Sequence, residues 1–195
     1  SGTKHISSNT LSMAVLSGMA VTPVEIQKQA FNKRLRKGTI MKTNVALQLI
    51  NQGKLEISEV ELPAPQDGQV MVKLFSSGVC HSQLHQMHNA NLPRPMALGH
   101  EAAGVVVQAG KSVSHVKEGD HVIVTWVRRT PVRGMPVNAP SGATYKGEAV
   151  HGAVYTLAED VLVDASYVIP ILNEYPTDVT CIIGCAVLTG AGAVL

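Results

Sequence analysis

Residues Gly99 to Val113 read GHEAAGVVVQAGKSV. A histidine and a glutamate stand side by side at His100 and Glu101, and Gly104 and Gly110 frame an apolar run behind them. Upstream lies Gly78-Val79-Cys80-His81-Ser82, and close to the end of the chain lies Gly184-Cys185-Ala186-Val187-Leu188-Thr189-Gly190. Cys80, His100 and a late cysteine could supply two thiolates and an imidazole to one metal. That donor set suits zinc, and a site with three protein ligands keeps a fourth position open for water or substrate. Cys181 and Cys185 are one helical turn apart and would share a helix face, so spacing alone does not choose between them.

Outward from this stretch the texture is that of strands and tight turns. Val45 to Ile50 and Leu55 to Leu62 read as strands joined by a turn at Asn51-Gln52-Gly53-Lys54, and Gln69 to Ser76 alternates in polarity. Gly78 ends that strand, and Cys80 opens a short helix reaching to about Met87. A thiol at a helix N-terminus has its thiolate favoured by the helix dipole. Val105-Val106-Val107 is a buried-type strand, and Glu118-Gly119-Asp120 is a turn feeding a strand from His121 to Val127. Arg128 to Tyr145 is rich in Pro, Gly and Arg and reads as a long loop. Strands are expected at Ala149 to Ala158, Asp160 to Val163 and Ser166 to Pro170. A final helix capped by Thr177 carries both late cysteines. Many short strands with few helices predict a mainly β protein with flanking helices, a partly open β-barrel. No internal repeat and no βαβ alternation is present, so no dinucleotide-binding fold is expected within the chain.

Composition narrows the function classes. The chain has 195 residues, 45% of them apolar, which is enough for one domain with a core. A net charge of +2 without a basic stripe and interleaved aromatics argues against a nucleic-acid partner. No run approaches the ~20 apolar residues of a membrane span. Three cysteines without a paired framework suggest free thiols in a reducing compartment, hence a cytoplasmic protein.

Residues 1–40 differ from the rest and are expected to be an N-terminal extension, partly disordered. Thr22-Pro23-Val24-Glu25 reads as a helix start, and Lys33, Arg34, Arg36 and Lys37 gather near the end of a basic helix stopped by Gly38. Residues 41–195 form the domain proper.

Gly99-His100-Glu101-x-x-Gly104-x5-Gly110-x2-Val113 resembles in full the zinc-site pattern of zinc-containing alcohol dehydrogenases, in the medium-chain dehydrogenase/reductase family. The segments around Cys80 and Cys185 are similar to that family's first and third ligand segments, in the right order. The resemblance implies a GroES-like catalytic domain with one catalytic Zn2+ on Cys80, His100 and Cys185, and Glu101 beside the metal as an exchangeable ligand or a supporting acid. It implies that Ser82 and His85 relay the substrate proton outward, that His81 faces the pyrophosphate of NAD or NADP, that Thr189 lies near the nicotinamide, and that Trp126 lines the substrate pocket. The implied reaction moves a hydride between an alcohol or aldehyde and NAD(P), in a parent protein expected to be a homo-oligomer. A non-catalytic zinc-binding or interaction module of the same fold is the alternative.

Two departures stand out. The cysteine quartet that holds a structural zinc in many members is missing from Trp126 to Gly134, so no structural zinc is expected. The nucleotide-binding domain is expected to follow Leu195, leaving this chain inactive alone. Gly190-Ala191-Gly192-Ala193 follows a helix rather than a strand and does not substitute for its glycine-rich turn.

Overall fold

Alternating polarity makes the first strand. In β1 (Met41–Gln48) Met41, Thr43, Val45 and Leu47 are buried while Lys42 and Asn44 face solvent. This is the period of two that a half-buried strand requires. The computed structural model describes residues 40–50, 53–129 and 141–195. The expected extension with its basic helix, and most of the loop around Pro131, lie outside the described residues.

β2 (Glu56–Leu62) pairs antiparallel with β1, Met41 facing Leu62 and Leu47 facing Glu56. There follow β3 (Gln69–Ser77), helix α1 (His81–His88), β4 (Met96–Ala97), β5 (Ala102–Ala109) and β6 (His121–Val124). Next come β7 (Thr144–Tyr145), β8 (Glu148–Ala149), β9 (Asp160–Asp164) and β10 (Val168–Pro170). The chain closes with α2 (Thr177–Thr180), a π-helical turn (Ile183–Val187) and α3 (Leu188–Gly192).

The strands form two five-stranded sheets, in the orders β4-β1-β2-β7-β8 and β10-β6-β5-β3-β9. Residues 157–159 stitch them together. The amide of Ala46 donates to Leu157 O at 2.8 Å, Glu159 N donates to Asn44 O at 3.0 Å, and Leu74 N donates to Glu159 O at 2.9 Å. Strand side chains from both sheets, among them Leu47, Leu62, Val70, Val72, Val122 and Leu162, meet in one apolar core with Tyr155. The result is the expected mainly β architecture, two curled sheets making a partly open barrel with few helices.

Several element boundaries differ from expectation, each for a local reason. The strand expected to reach Val127 stops at Val124 because the Thr125 hydroxyl turns the chain. It donates to Gly184 O at 2.6 Å and accepts from the Val127 amide at 3.2 Å. The strand expected over Ala149 to Ala158 ends at Ala149. Beyond it the amides of His151, Thr156 and Leu157 go to Pro95 O and Leu98 O, so this segment crosses the β4 region instead of pairing along its length. Ser166 and Tyr167 belong to a 3-10 turn, opened by the Asp164 carboxylate accepting from Ser166 N at 2.8 Å. Part of the expected loop is a hairpin, β7–β8, whose Lys146-Gly147 turn has φ of 51° and 86°. Two successive positive φ values suit the twist of a two-residue hairpin. The expected final helix is broken into three pieces, with Pro176 rather than Thr177 at its cap position.

A carboxylate lies within this framework. Asp160 is buried, with Oδ2 accepting from the Thr43 hydroxyl at 2.9 Å and lying 3.6 Å from Lys73 Nζ. Burial holds its pKa above the usual carboxylate range, against the opposing pull of Lys73 and Thr43. A raised carboxylate pKa in the folded state means that the fold takes up the proton more readily than the unfolded chain. Its stabilising contribution is therefore complete below the unfolded pKa and is lost as pH rises through the folded one. Asp160→Asn removes the titration while keeping an acceptor for Thr43. Its stability relative to the parent is expected to be most favourable at neutral pH and to decline as pH falls toward 4, roughly the ordinary Asp pKa. Parallel urea curves across that range check it, and a pH-independent difference would refute it.

Candidate metal centre

Cys80 is delivered by the exit from β3. Ser77 ends the strand, Gly78 donates its amide to Glu101 O at 3.1 Å, and Cys80 takes the N-cap position of α1. The Gln83 side chain accepts from Cys80 N at 3.1 Å, and the Gln83 amide donates to Cys80 O at 3.1 Å. Two bonds therefore fix the backbone that carries the thiol. The chain enters the helix here because Gln83 satisfies an amide that the first turn otherwise leaves unpaired.

His100 sits between β4 and β5. Gly99 has φ of 101°, and a Cβ there would come within 2.5 Å of Thr156 Oγ1 and 2.6 Å of Leu157 N. Only glycine allows this conformation and this approach together. The backbone just after His100 is held by a hydroxyl chain. Ser77 Oγ donates to Thr156 Oγ1 at 2.9 Å, and Thr156 Oγ1 donates to Glu101 O at 3.2 Å.

Cys185 comes from the π-helical turn. An i→i+5 turn inserts one residue into the helical spacing, and such bulges gather at functional sites. Here it separates the fates of the two late cysteines. Cys181 is buried, with its thiol on Asp178 O at 3.2 Å. Cys185 instead points its sulfur at His100, with Sγ and Nε2 3.3 Å apart. The turn is anchored from two sides, by Thr125 on Gly184 O and by Glu101 Oε2 accepting from the Ala186 amide at 3.1 Å.

The ligand atoms of Cys80, His100 and Cys185 all lie within 4.8 Å of one another, the one such grouping among the described residues. Zinc bond lengths place neighbouring donors of a tetrahedron about 3.5–3.8 Å apart, so the trio would need only small side-chain adjustment to close on the ion. The electrostatics agree. The hydrogen bond from Ser82 lowers the Cys80 pKa and favours its thiolate. Burial lowers the His100 pKa and favours neutral imidazole. Burial, aided by the neighbouring Cys80, raises the pKa of Cys185. A cation between the two sulfurs would offset that cost. The residues present thus fit a zinc ion.

The other expected site residues are placed as follows. Glu101 is 1% exposed and outside the trio, its carboxylate wedged over Gly78, where a Cβ would lie 2.6 Å from Cδ. Ser82 Oγ is 3.4 Å from Cys80 Sγ. His81 and His85 are exposed neighbours on α1. Trp126 is 55% exposed, with its ring 6.4 Å from that of His100. Thr189 is exposed on α3. Thr125, Gln83, Ser77 and Thr156 escaped the sequence reading. Thr125, Ser77 and Thr156 act through backbone bonds to distant segments, and a lone threonine or serine carries no motif that would reveal it, whereas Gln83 acts on Cys80 three residues before it, as the far member of a capping box.

The family description "Alcohol dehydrogenase GroES-like domain" matches residues 66–173. The NDMA-dependent alcohol dehydrogenase of Amycolatopsis methanolica is 33% identical over 173 residues, 77% of this chain and 46% of that protein. S-(hydroxymethyl)glutathione dehydrogenase of Escherichia coli is 30% identical over 178 residues, 79% of this chain and 48% of that protein. The chain therefore spans about half the length of the curated relatives it matches. An alcohol dehydrogenase zinc-binding domain protein from Burkholderia ambifaria superposes with TM-score 0.72 at 25% identity, over 80% of this chain and 49% of that one. Benzyl alcohol dehydrogenase from Acinetobacter calcoaceticus shares the fold, with TM-score 0.65 at 23% identity over 78% and 47% of the two chains.

Proposed function

We propose, from the premise that this chain belongs to the alcohol dehydrogenase GroES-like domain family, that it is the zinc-holding catalytic part of an alcohol or aldehyde oxidoreductase. The observation that carries this reading is the convergence of Cys80, His100 and Cys185 within 4.8 Å. Zinc held there would supply a Lewis acid that polarises the substrate oxygen and eases loss of its proton.

The chain's own residues would do the rest. Cys80 and Cys185 provide charge-bearing sulfurs and His100 a neutral nitrogen, leaving one position for substrate. Glu101 holds the Ala186 amide and so positions Cys185; it supports the ligands rather than completing the trio. The Ser82 hydroxyl, beside Cys80 Sγ, accepts the substrate proton, and exposed His85 passes it to solvent. An imidazole can accept a proton on one nitrogen and release one from the other, which suits that step. His81 meets the pyrophosphate of NAD or NADP, Thr189 lies by the nicotinamide, and Trp126 forms one wall of the substrate pocket. The hydride goes between the alcohol carbon and NAD(P), bound by a nucleotide-binding domain of the parent protein. The relatives' greater length is what supports that division. The parent protein is a cytoplasmic homo-oligomer with a single zinc in this domain. No helix among the described residues is long and apolar enough to cross a membrane.

Metal analysis tests the reading. Protein prepared without chelator should hold close to one equivalent of zinc, and less than about a tenth would count heavily against a site with the nanomolar-or-tighter affinity of protein zinc centres. In the parent protein, Ser82→Ala should lower kcat by about 100-fold, the low end for a lost proton-transfer group, with little change in zinc content. An unchanged kcat would remove Ser82 from the relay.

A further inference from the structure

We propose a second metal site on α1, formed by His81 and His85, which takes an exchangeable borderline divalent ion such as nickel, copper or zinc. The two residues are four apart in the helix, so their side chains rise from one face a turn apart. Their ring centroids are 5.1 Å apart with the planes at 69°. Both side chains are exposed, so their rings can turn without displacing packed neighbours.

The helix sorts its histidines. His88 has its Nδ1 2.7 Å from Leu84 O and is tied to the backbone. Neither the His81 ring nor the His85 ring has a hydrogen-bond partner among the described residues, so all four of their ring nitrogens are open to a ligand. Two imidazoles at i and i+4 are the chelate by which a helix presents itself to zinc in a metalloprotease motif. Imidazole nitrogen selects zinc, copper and nickel over the hard cations, which need oxygen donors. The first turn of α1 contains no acidic residue, so that turn offers no carboxylate to recruit calcium or magnesium. With two protein donors the remaining positions go to water. Occupancy then follows the ordinary order of affinity, nickel and copper ahead of manganese or iron.

This site uses none of the donors of the sulfur-rich trio and does not depend on the proposed reaction. It would act against that reaction, since an ion on His81 and His85 occupies the nitrogens assigned to phosphate contact and to proton exit.

The test uses the full chain loaded with one equivalent of zinc and titrated with nickel by calorimetry. One nickel should bind per chain without zinc release. His81→Gln and His85→Gln should each weaken nickel binding at least tenfold, while His88→Gln stays within twofold of the parent. Nickel binding that survives both substitutions overturns the proposal. So does equal weakening by His88→Gln, or uptake seen only with thiolate-to-nickel absorption as zinc leaves. If a variant loses its helical circular dichroism, proton NMR of the parent decides. Paramagnetic broadening must strike the His81 and His85 ring signals at nickel levels that spare His88, and broadening of all three together refutes the site.

Discussion

Cys185→Ser is expected to cut zinc affinity by more than about 100-fold, beyond the 10–100-fold typical of losing an outer partner, whereas Cys181→Ser leaves it nearly unchanged. Both thiols are free and buried, and they sit close together in the chain. Their partners differ. Cys185 Sγ lies 3.3 Å from His100 Nε2, and Cys181 Sγ is spent on the Asp178 carbonyl. Removing Cys185 deletes one of three donors, and the oxygen that replaces it is a neutral, poorer zinc ligand than a thiolate. Removing Cys181 alters a buried small side chain and its weak hydrogen bond, for about 1 kcal/mol of stability. Chelator competition reads the affinity and thermal unfolding reads the stability. The reverse pattern, zinc lost with Cys181 and kept with Cys185, would show that the π-helical turn had been assigned the wrong cysteine.

Gly104→Ala is expected to destabilise the fold by at least ~3 kcal/mol, the upper range for a forced insertion into a packed core. Gly104 faces Leu74 across the β3–β5 pair, and a Cβ there would collide with the Lys73 carbonyl oxygen and lie 2.8 Å from Val72 Cγ1. The obstructing atom belongs to the neighbouring strand's backbone, so no rotamer change relieves it. The two strands must part, and β3 leads into Cys80 while β5 leads away from His100. Loss of stability should therefore bring weaker zinc retention with it. Gly190→Ala is the contrast. It lies in α3 with nothing within 4 Å of the added carbon, and alanine gains up to about 1 kcal/mol over glycine in a helix interior. Urea unfolding of the two variants separates the cases, and a Gly104→Ala protein as stable as its parent would show that the strand pair is looser than its geometry implies.

Strand polarity was legible because it is a local property. Val70, Val72 and Leu74 alternate with Lys73 and Phe75, and that rhythm predicts which side faces the core whatever the partner strand, whereas the first strand, expected over Val45 to Ile50, runs from Met41 to Gln48. The three donor segments were equally legible, since a histidine, two cysteines and their glycines are chemically conspicuous. Less visible was anything that depends on an amide finding a carbonyl far along the chain. The apolar spacing of Val150, Val154 and Tyr155 suggests a strand. Yet the amides of that region are claimed by Pro95 and Leu98, and the alternation describes a crossing loop instead.

The sequence by itself determined the mainly β class, the kinds of donor and their order, because hydrophobic period and ligand chemistry reside in single residues and their near neighbours. Only the tertiary structure decided that Glu101 braces Ala186 instead of joining the trio, and that Ser77, Thr125 and Thr156 hold the ligand loops. Those outcomes rest on hydrogen bonds between segments 24 to 85 residues apart, and such pairings exist only once the two sheets have closed on their common core.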